Sequence, residues 1–140
     1  MKKIEHEVKI QGDIQTVYQA LTTLHGLESW HSAHMKGEPT LNGEITMLHK
    51  KNPVFSWKII GLKPNHSVEW KCVQGPNNAP GTLVCFNLIP GNDGKVLVEC
   101  THQGWSETDA HFRKCNTLWG MLLFHLKQFI ESGNPKPAFH

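Results

Sequence analysis

Residues 107–132 have the sequence ETDAHFRKCNTLWGMLLFHLKQFIES, and this stretch decides the fold. It lacks proline, and its apolar residues recur at the spacing of one helix face. That face consists of Phe112, Cys115, Trp119, Leu122, Leu126, Phe129 and Ile130. A helix over this stretch would be about 39 Å long. Because water would otherwise contact its whole aromatic stripe, the rest of the chain must supply an apolar surface of similar length.

The ends of this helix carry recognisable signals. Ser106 and Asp109, three residues apart, are typical of a capping pair, which predicts a helix from Glu107. After Ser132, the sequence Gly-Asn-Pro is typical of a helix stop. We expect the tail over residues 133–140 to be loose.

The apolar surface comes from alternating segments. Apolar and polar residues alternate along a first segment and five later ones, which predicts strands with one buried face. These strands are predicted at residues 2–10, 43–51, 54–63, 67–74, 82–89 and 95–103. Short links rich in Gly, Pro and Asn join the later strands, so neighbours should be antiparallel. Two short helices are predicted between the first two strands, one after Gly12-Asp13 and one over residues 25–30.

The order of elements predicts an α+β fold. A curved antiparallel sheet would wrap around the long C-terminal helix, and the two short helices would close one end. The chain of 140 residues has the length of a single domain, over residues 1–140. A sheet curved around one helix often leaves a cavity between the two layers, which is a natural site for a small molecule.

The composition excludes some classes of partner and location. The net charge is only +2 and the 14 Lys and Arg residues are scattered, so we expect no nucleic-acid partner. No apolar run reaches the roughly 18 residues of a membrane span, and the first ten residues do not resemble a signal peptide. Four cysteines lie on separate predicted elements, without a CxxC pair. We therefore expect reduced thiols and a cytoplasmic location.

Three stretches carry a family resemblance. Residues 17–22 (VYQALT) followed by Trp30, residues 61–70 (GLKPNHSVEW) and residues 119–133 (WGMLLFHLKQFIESG) resemble the START-like, or SRPBCC, superfamily. Within it, they are most similar to the branch of heat-shock-ATPase-activator homologues and polyketide-cyclase-like proteins. The resemblance implies the helix-grip fold. It leaves the function open, because members bind lipids, hormones or polyketides, stimulate a chaperone ATPase, or cyclise aromatic intermediates.

Inward alternation and the apolar helix face together predict the walls of a ligand cavity. The predicted wall residues are Trp30, His34, Met47, Trp57, Trp70, Cys72, Val98, His102, Phe112, Cys115 and Trp119. His102 would be the polar anchor among apolar walls. His6 and His49 are also predicted on inward strand faces.

Three functions remain open. The leading hypothesis is a non-catalytic protein that binds a small apolar or aromatic molecule. The second is an enzyme of the cyclase, dehydratase or hydrolase kind that uses a pocket histidine, but no inward carboxylate is evident to orient it, and we assign no catalytic residue. The third is a chaperone-ATPase regulator that acts by protein interaction, and a homodimer is also possible. His31 and His34 have a spacing usable by zinc, but without a third ligand we expect no metal and no cofactor.

Overall fold

A computed structural model of the protein describes residues 2–140. Within these residues the chain forms seven strands and three helices. In chain order they are β1 (Lys2–Gln11), α1 (Ile14–Thr22), α2 (Leu24–Trp30), β2 (Met35–Gly37), β3 (Glu44–His49), β4 (Asn52–Lys63), β5 (Ser67–Gln74), β6 (Leu83–Pro90), β7 (Lys95–Trp105) and α3 (Ala110–Ser132). Strand β2 was not predicted, because three residues are too few to show alternation.

The strands form one antiparallel sheet in the order β1-β7-β6-β5-β4-β3-β2. Register shifts interrupt the β3–β4 pairing after Met47 and the β4–β5 pairing near Trp57 and Ile59. Such bulges bend a strand and increase its twist. The predicted α+β helix-grip fold, a curled antiparallel sheet with a long C-terminal helix, is confirmed.

Helix α3 begins three residues later than predicted. Its N-cap is Asp109, whose side chain accepts a hydrogen bond from the Phe112 N–H at 3.0 Å. Ser106 does not cap the helix, and its carbonyl accepts a hydrogen bond from Lys2 instead. At the other end Gly133 adopts a left-handed conformation with φ 75°, as the predicted stop requires. No helix among residues 2–140 is both long and apolar enough to cross a membrane.

The predicted apolar face of α3 is buried along its middle. Cys115, Trp119, Leu122 and Leu126 are buried, together with Leu123, which was not predicted. The end residues Phe112, Phe129 and Ile130 are only partly buried. Residues near the two ends of the helix are therefore less buried than residues at its centre.

The C-terminal tail is hydrogen-bonded and not loose as expected. The backbone N–H groups of Lys136, Ala138 and Phe139 donate to the carbonyls of Ser29, Trp30 and His31. In return, the carbonyl of Phe139 accepts from the N–H of Ala33. The tail thus lies along the end of α2 and the residues that follow it.

Candidate functional site

A cavity of about 440 Å³ lies between the first half of α3 and the β3–β4 hairpin. Most of its walls come from these two elements. Helix α3 contributes His111, Lys114, Cys115, Leu118, Trp119 and Leu122, and the hairpin contributes Met47, Leu48, His49, Val54, Phe55 and Trp57. The remaining wall residues are His31, Pro76, Asn77, His102 and Phe139.

The hairpin wall is flat and aromatic. Phe55 and Trp57 are two residues apart on β4, so both side chains project from the same face of the strand. Their rings stack with centroids 5.6 Å apart and planes inclined by only 8°. Trp57 is 4% exposed, and its Nε1–H is buried without a hydrogen-bond partner among residues 2–140. A buried indole donor without an acceptor is unusual in a native protein.

His102 has both ring nitrogens engaged by protein groups. The Nε1–H of Trp119 donates to His102 Nδ1 at 3.0 Å, and His102 Nε2 lies 2.7 Å from Thr82 Oγ1. The hydroxyl of Thr82 donates in turn to the carbonyl of Ala79 at 2.6 Å. Because an indole N–H only donates and a carbonyl only accepts, the chain of bonds fixes a neutral imidazole that is protonated on Nε2.

This arrangement changes the role expected of His102. It does line the cavity, but neither nitrogen is left for a ligand or for proton transfer. Burial, and to a lesser degree the nearby His111, lowers the pKa of His102 to about 3. His102 therefore lacks the free ring nitrogen that the expected polar anchor requires, and the ring instead connects β7 to α3.

His31 is the histidine that the sequence did not reveal as a cavity residue. It is 5% exposed and lines the cavity, with aromatic rings of Trp30, Trp119 and Phe139 within 5.3–6.4 Å of its own. Burial lowers its pKa to about 4, so the ring is neutral at pH 7. Among residues 2–140 its side chain makes one hydrogen bond, from Nδ1 to Ser32 Oγ at 2.7 Å, which leaves Nε2 for other partners.

Five of the eleven predicted wall residues line the cavity: Met47, Trp57, His102, Cys115 and Trp119. The other six do not. Trp30, Trp70, Cys72 and Val98 are buried in the core, His34 is exposed, and Phe112 packs the edge of its ring against Trp105.

Aromatic rings pack together over the middle of the sheet. Phe86, on β6, is fully buried and contacts the rings of Trp30, Trp70 and Trp119 with centroids 5.0–6.5 Å apart. Inward residues of the central strands therefore pack against other side chains. The cavity described above lies mainly over β3 and β4, nearer the edge of the sheet.

The other two histidines predicted to face inward do not belong to the core. His49 is exposed at the end of β3, beyond the bulge after Met47, and its Nδ1 contacts the carbonyl of His140 at 3.2 Å. His6 is partly exposed and bonds Asn116 Oδ1 of α3 at 2.9 Å.

The cavity contains one cysteine–histidine pair. His111 Nε2 lies 3.7 Å from Cys115 Sγ. Burial raises the pKa of the Cys115 thiol to about 11, so at pH 7 it is protonated and a poor nucleophile. Burial also raises the pKa of Cys72, to about 11, and that of Cys100. Among residues 2–140, Cys72, Cys85, Cys100 and Cys115 are all free thiols, as predicted.

The two histidines whose spacing suggested a metal site lie in different environments. His31 is buried against the cavity, whereas His34 is exposed. Within residues 2–140, the His, Cys, Asp and Glu side chains form no group of three that could hold a metal ion.

Comparison with solved structures places the fold among known proteins. The solution structure of the Aha1 dimer from Colwellia psychrerythraea is 30% identical, with a TM-score of 0.86 over 95% of this chain and 98% of that one. CalU16 from Micromonospora echinospora is 22% identical, with a TM-score of 0.78 over 96% and 76% of the two chains. Protein MLL2253 from Mesorhizobium loti is 17% identical, with a TM-score of 0.77 over 91% and 95%. The last two similarities concern the fold alone.

Comparison with curated proteins found no match. The family model described as "Activator of Hsp90 ATPase homolog 1-like protein" matches residues 12–131, which include every strand except β1 and all of the helices except the last residue of α3. The resemblance inferred from the three sequence stretches is confirmed, and the chain belongs to the family of activator of Hsp90 ATPase homologue 1-like proteins.

Proposed function

We propose that the protein binds a small apolar or aromatic molecule in the cavity between α3 and the β3–β4 hairpin. The observation that carries the proposal is the cavity itself. Its volume of about 440 Å³ falls within the range of about 300–1,000 Å³ usual for small-molecule sites. The stacked rings of Phe55 and Trp57 provide a flat apolar wall, and burial of apolar ligand surface against it would supply most of the affinity.

A polar group in the cavity wall supports the proposal that the cavity holds a ligand. His31 Nε2 has no hydrogen-bond partner among residues 2–140, although the ring is almost fully buried. A ligand hydroxyl or carbonyl could serve as its partner. A few polar groups among apolar walls are typical of sites that orient a ligand.

A titration with N-phenyl-1-naphthylamine, a neutral apolar fluorophore, tests this proposal. We expect saturable fluorescence enhancement with the unaltered protein and none with Cys115→Trp, because an indole at that position would occupy the cavity. The matched control is Thr117→Trp, which adds the same side chain at an exposed position two residues along the same helix. Equal enhancement in all three proteins would mean that the fluorophore binds elsewhere, and the proposal would fail.

Catalysis is less well supported. The second function open from the sequence required a pocket histidine that can transfer a proton. Both ring nitrogens of His102 are hydrogen-bonded, one to Trp119 and the other to Thr82. The Cys115 thiol beside His111 is protonated at pH 7. His31 keeps a free Nε2, but no Asp or Glu among residues 2–140 lines the cavity to orient its ring for proton transfer, and we propose binding without reaction.

Interaction with another protein is a second candidate. It is favoured by membership in the Hsp90-ATPase-activator family and by the relative described as an Aha1 dimer. Met121 and Phe124 expose apolar surface on α3, and the Phe124 side chain is 54% exposed. We propose a homodimer or a chaperone ATPase as the partner. Light scattering during gel filtration tests for the homodimer, and an ATPase assay with purified Hsp90 tests for the chaperone partner. Each experiment is repeated with Phe124→Ser.

A cytoplasmic location also remains a proposal. It is supported by free thiols at Cys72, Cys85, Cys100 and Cys115, since oxidising compartments favour disulfides. Fractionation of cells that express the protein tests it.

A further inference from the structure

Apart from the protonated thiol of Cys115, the titratable side chains that line the cavity are all basic. Lys114 and His111 contribute to the α3 wall, His49 contributes to the hairpin wall, and His31 and His102 lie deeper. No Asp or Glu among residues 2–140 lines the cavity. His31 and His102 are neutral at pH 7, and Lys114 is the one Lys or Arg among the residues within 2–140 that line the cavity.

Among residues 2–140, Lys114 forms no ion pair with an acidic side chain. The ion pairs within residues 2–140 join Lys3 to Glu5, Lys9 to Asp93 and Lys127 to Glu131. Asp109, the N-cap residue of the same helix, accepts the N–H of Phe112 and does not line the cavity. An unpaired ammonium group is therefore present at the edge of an apolar cavity.

His111 lies about one helical turn before Lys114, and contacts with Trp105 and Cys115 hold its ring in orientation. Its ring meets the ring of Trp105 edge to face, with centroids 5.5 Å apart, and its Nε2 contacts Cys115 Sγ. His111 and Lys114 are three residues apart, so they are neighbours on the surface of α3. Together they present an imidazole and an ammonium group to the same part of the cavity.

We propose that the cavity ligand is an apolar acid, with its apolar body against Phe55, Trp57 and Trp119 and its anionic group beside Lys114 and His111. This inference rests on the proposed function, because it specifies the chemistry of the same site. A hydrogen bond between an ammonium group and a carboxylate or sulfonate is about twice as strong as a neutral one. Partial removal of water by the apolar walls strengthens it further.

Two fluorophores that differ by one anionic group test the inference. 8-Anilinonaphthalene-1-sulfonate carries a sulfonate on the same ring system as neutral N-phenyl-1-naphthylamine. Both are titrated against the unaltered protein, Lys114→Gln and Arg113→Gln. Arg113→Gln is the matched control, because it removes one positive charge at the adjacent exposed helix position, which does not line the cavity.

We expect Lys114→Gln to raise the Kd of the sulfonate about tenfold, which is the loss expected for one charge-assisted hydrogen bond. The Kd of the neutral fluorophore should change less than about twofold in Lys114→Gln, and Arg113→Gln should alter neither Kd by more than that. His111→Gln should weaken the sulfonate in the same selective way. Circular dichroism and the unchanged binding of the neutral fluorophore show that each variant is folded.

The outcomes separate the inference from the function on which it rests. If both fluorophores bind and Cys115→Trp abolishes both, but Lys114→Gln affects them equally or not at all, the inference is overturned and the proposed function stands. If Arg113→Gln weakens the sulfonate as much as Lys114→Gln does, general surface charge accounts for the effect and the inference is likewise overturned. If neither fluorophore binds in a way that Cys115→Trp abolishes, both proposals fail.

Discussion

Trp119 and His102 are joined by a buried hydrogen bond of 3.0 Å, in which the indole Nε1–H of α3 donates to Nδ1 of the imidazole on β7. The bond spans 17 residues of sequence and connects the long helix to the sheet. Since both residues also line the cavity, the bond holds part of its wall in place.

A double-mutant cycle measures this bond. Trp119→Phe leaves the His102 nitrogen unsatisfied, and His102→Leu leaves the indole N–H unsatisfied, so each should cost about 1–3 kcal/mol for the buried polar group in addition to any packing loss. The double variant should be more stable than the sum of the two losses predicts, by about 1 kcal/mol or more. Urea denaturation of the unaltered protein, the two single variants and the double variant provides the four free energies of unfolding. Strict additivity would contradict the bond.

Stability should depend on pH through two buried histidines. Burial lowers the pKa of His102 to about 3 and that of His31 to about 4, from an ordinary value of 6.5. Below pH 6.5 the unfolded chain binds protons that the folded protein does not bind. The stabilisation is therefore complete above pH 6.5 and declines as the pH falls towards 4, by about 1.4 kcal/mol per pH unit for each ring.

Urea denaturation at about pH 7, 6 and 5 tests this prediction in the range where both rings contribute. The decline should be shallower in His31→Asn, because one of the two proton-binding differences is removed. A free energy of unfolding that stays constant between pH 7 and pH 5 would contradict the buried neutral state of both rings.

Truncating a side chain at the packed centre of the sheet should destabilise the protein more than truncating one in the cavity wall. Phe86→Ala should cost about 3–5 kcal/mol, because Phe86 is fully buried among three tryptophans and its removal leaves a cavity. Phe55→Ala should cost less, because Phe55 is only partly buried and already borders open space. Urea denaturation compares the two variants. Equal losses would mean that the cavity wall is packed as tightly as the core.

Much of the packing between the sheet and α3 could be predicted from the sequence. Alternation along β3, β4 and β5 predicted the burial of Met47, Trp57 and Trp70, since a strand turns every second side chain to the same face. The position of the cavity along the sheet could not be predicted in the same way. The cavity lies to one side because the rings of Phe86 and its neighbours fill the space over the centre of the sheet. How side-chain volumes fill that space cannot be read from the alternation of apolar residues along a strand.

His31 shows a second limit of sequence patterns. It is the C-cap residue of α2, beyond the helix and outside any alternating strand, so no periodicity indicates which way its ring points. Its burial also depends on Phe139 in the tail, whose ring lies 5.9 Å away. A contact between residues so far apart in sequence leaves no local signal.

The four thiols should react in an order set by burial. Cys85 is partly buried, whereas Cys72, Cys100 and Cys115 are buried. Burial raises the pKa of all four, so alkylation of the native protein should be slow, with Cys85 modified first. Mass spectrometry after timed treatment with iodoacetamide measures this order. Early modification of Cys100 would contradict the position assigned to β7.

The binding site itself is tested most directly by the indole N–H resonances of the protein during titration with N-phenyl-1-naphthylamine. Trp57 and Trp119 line the cavity, whereas Trp30 is fully buried outside it with its Nε1–H bonded to Ala20. The account predicts large, saturable shifts for Trp57 and Trp119, a small shift for Trp30, and no such shifts in Cys115→Trp. Shifts confined to other tryptophans, or unchanged in Cys115→Trp, would contradict a ligand site in this cavity.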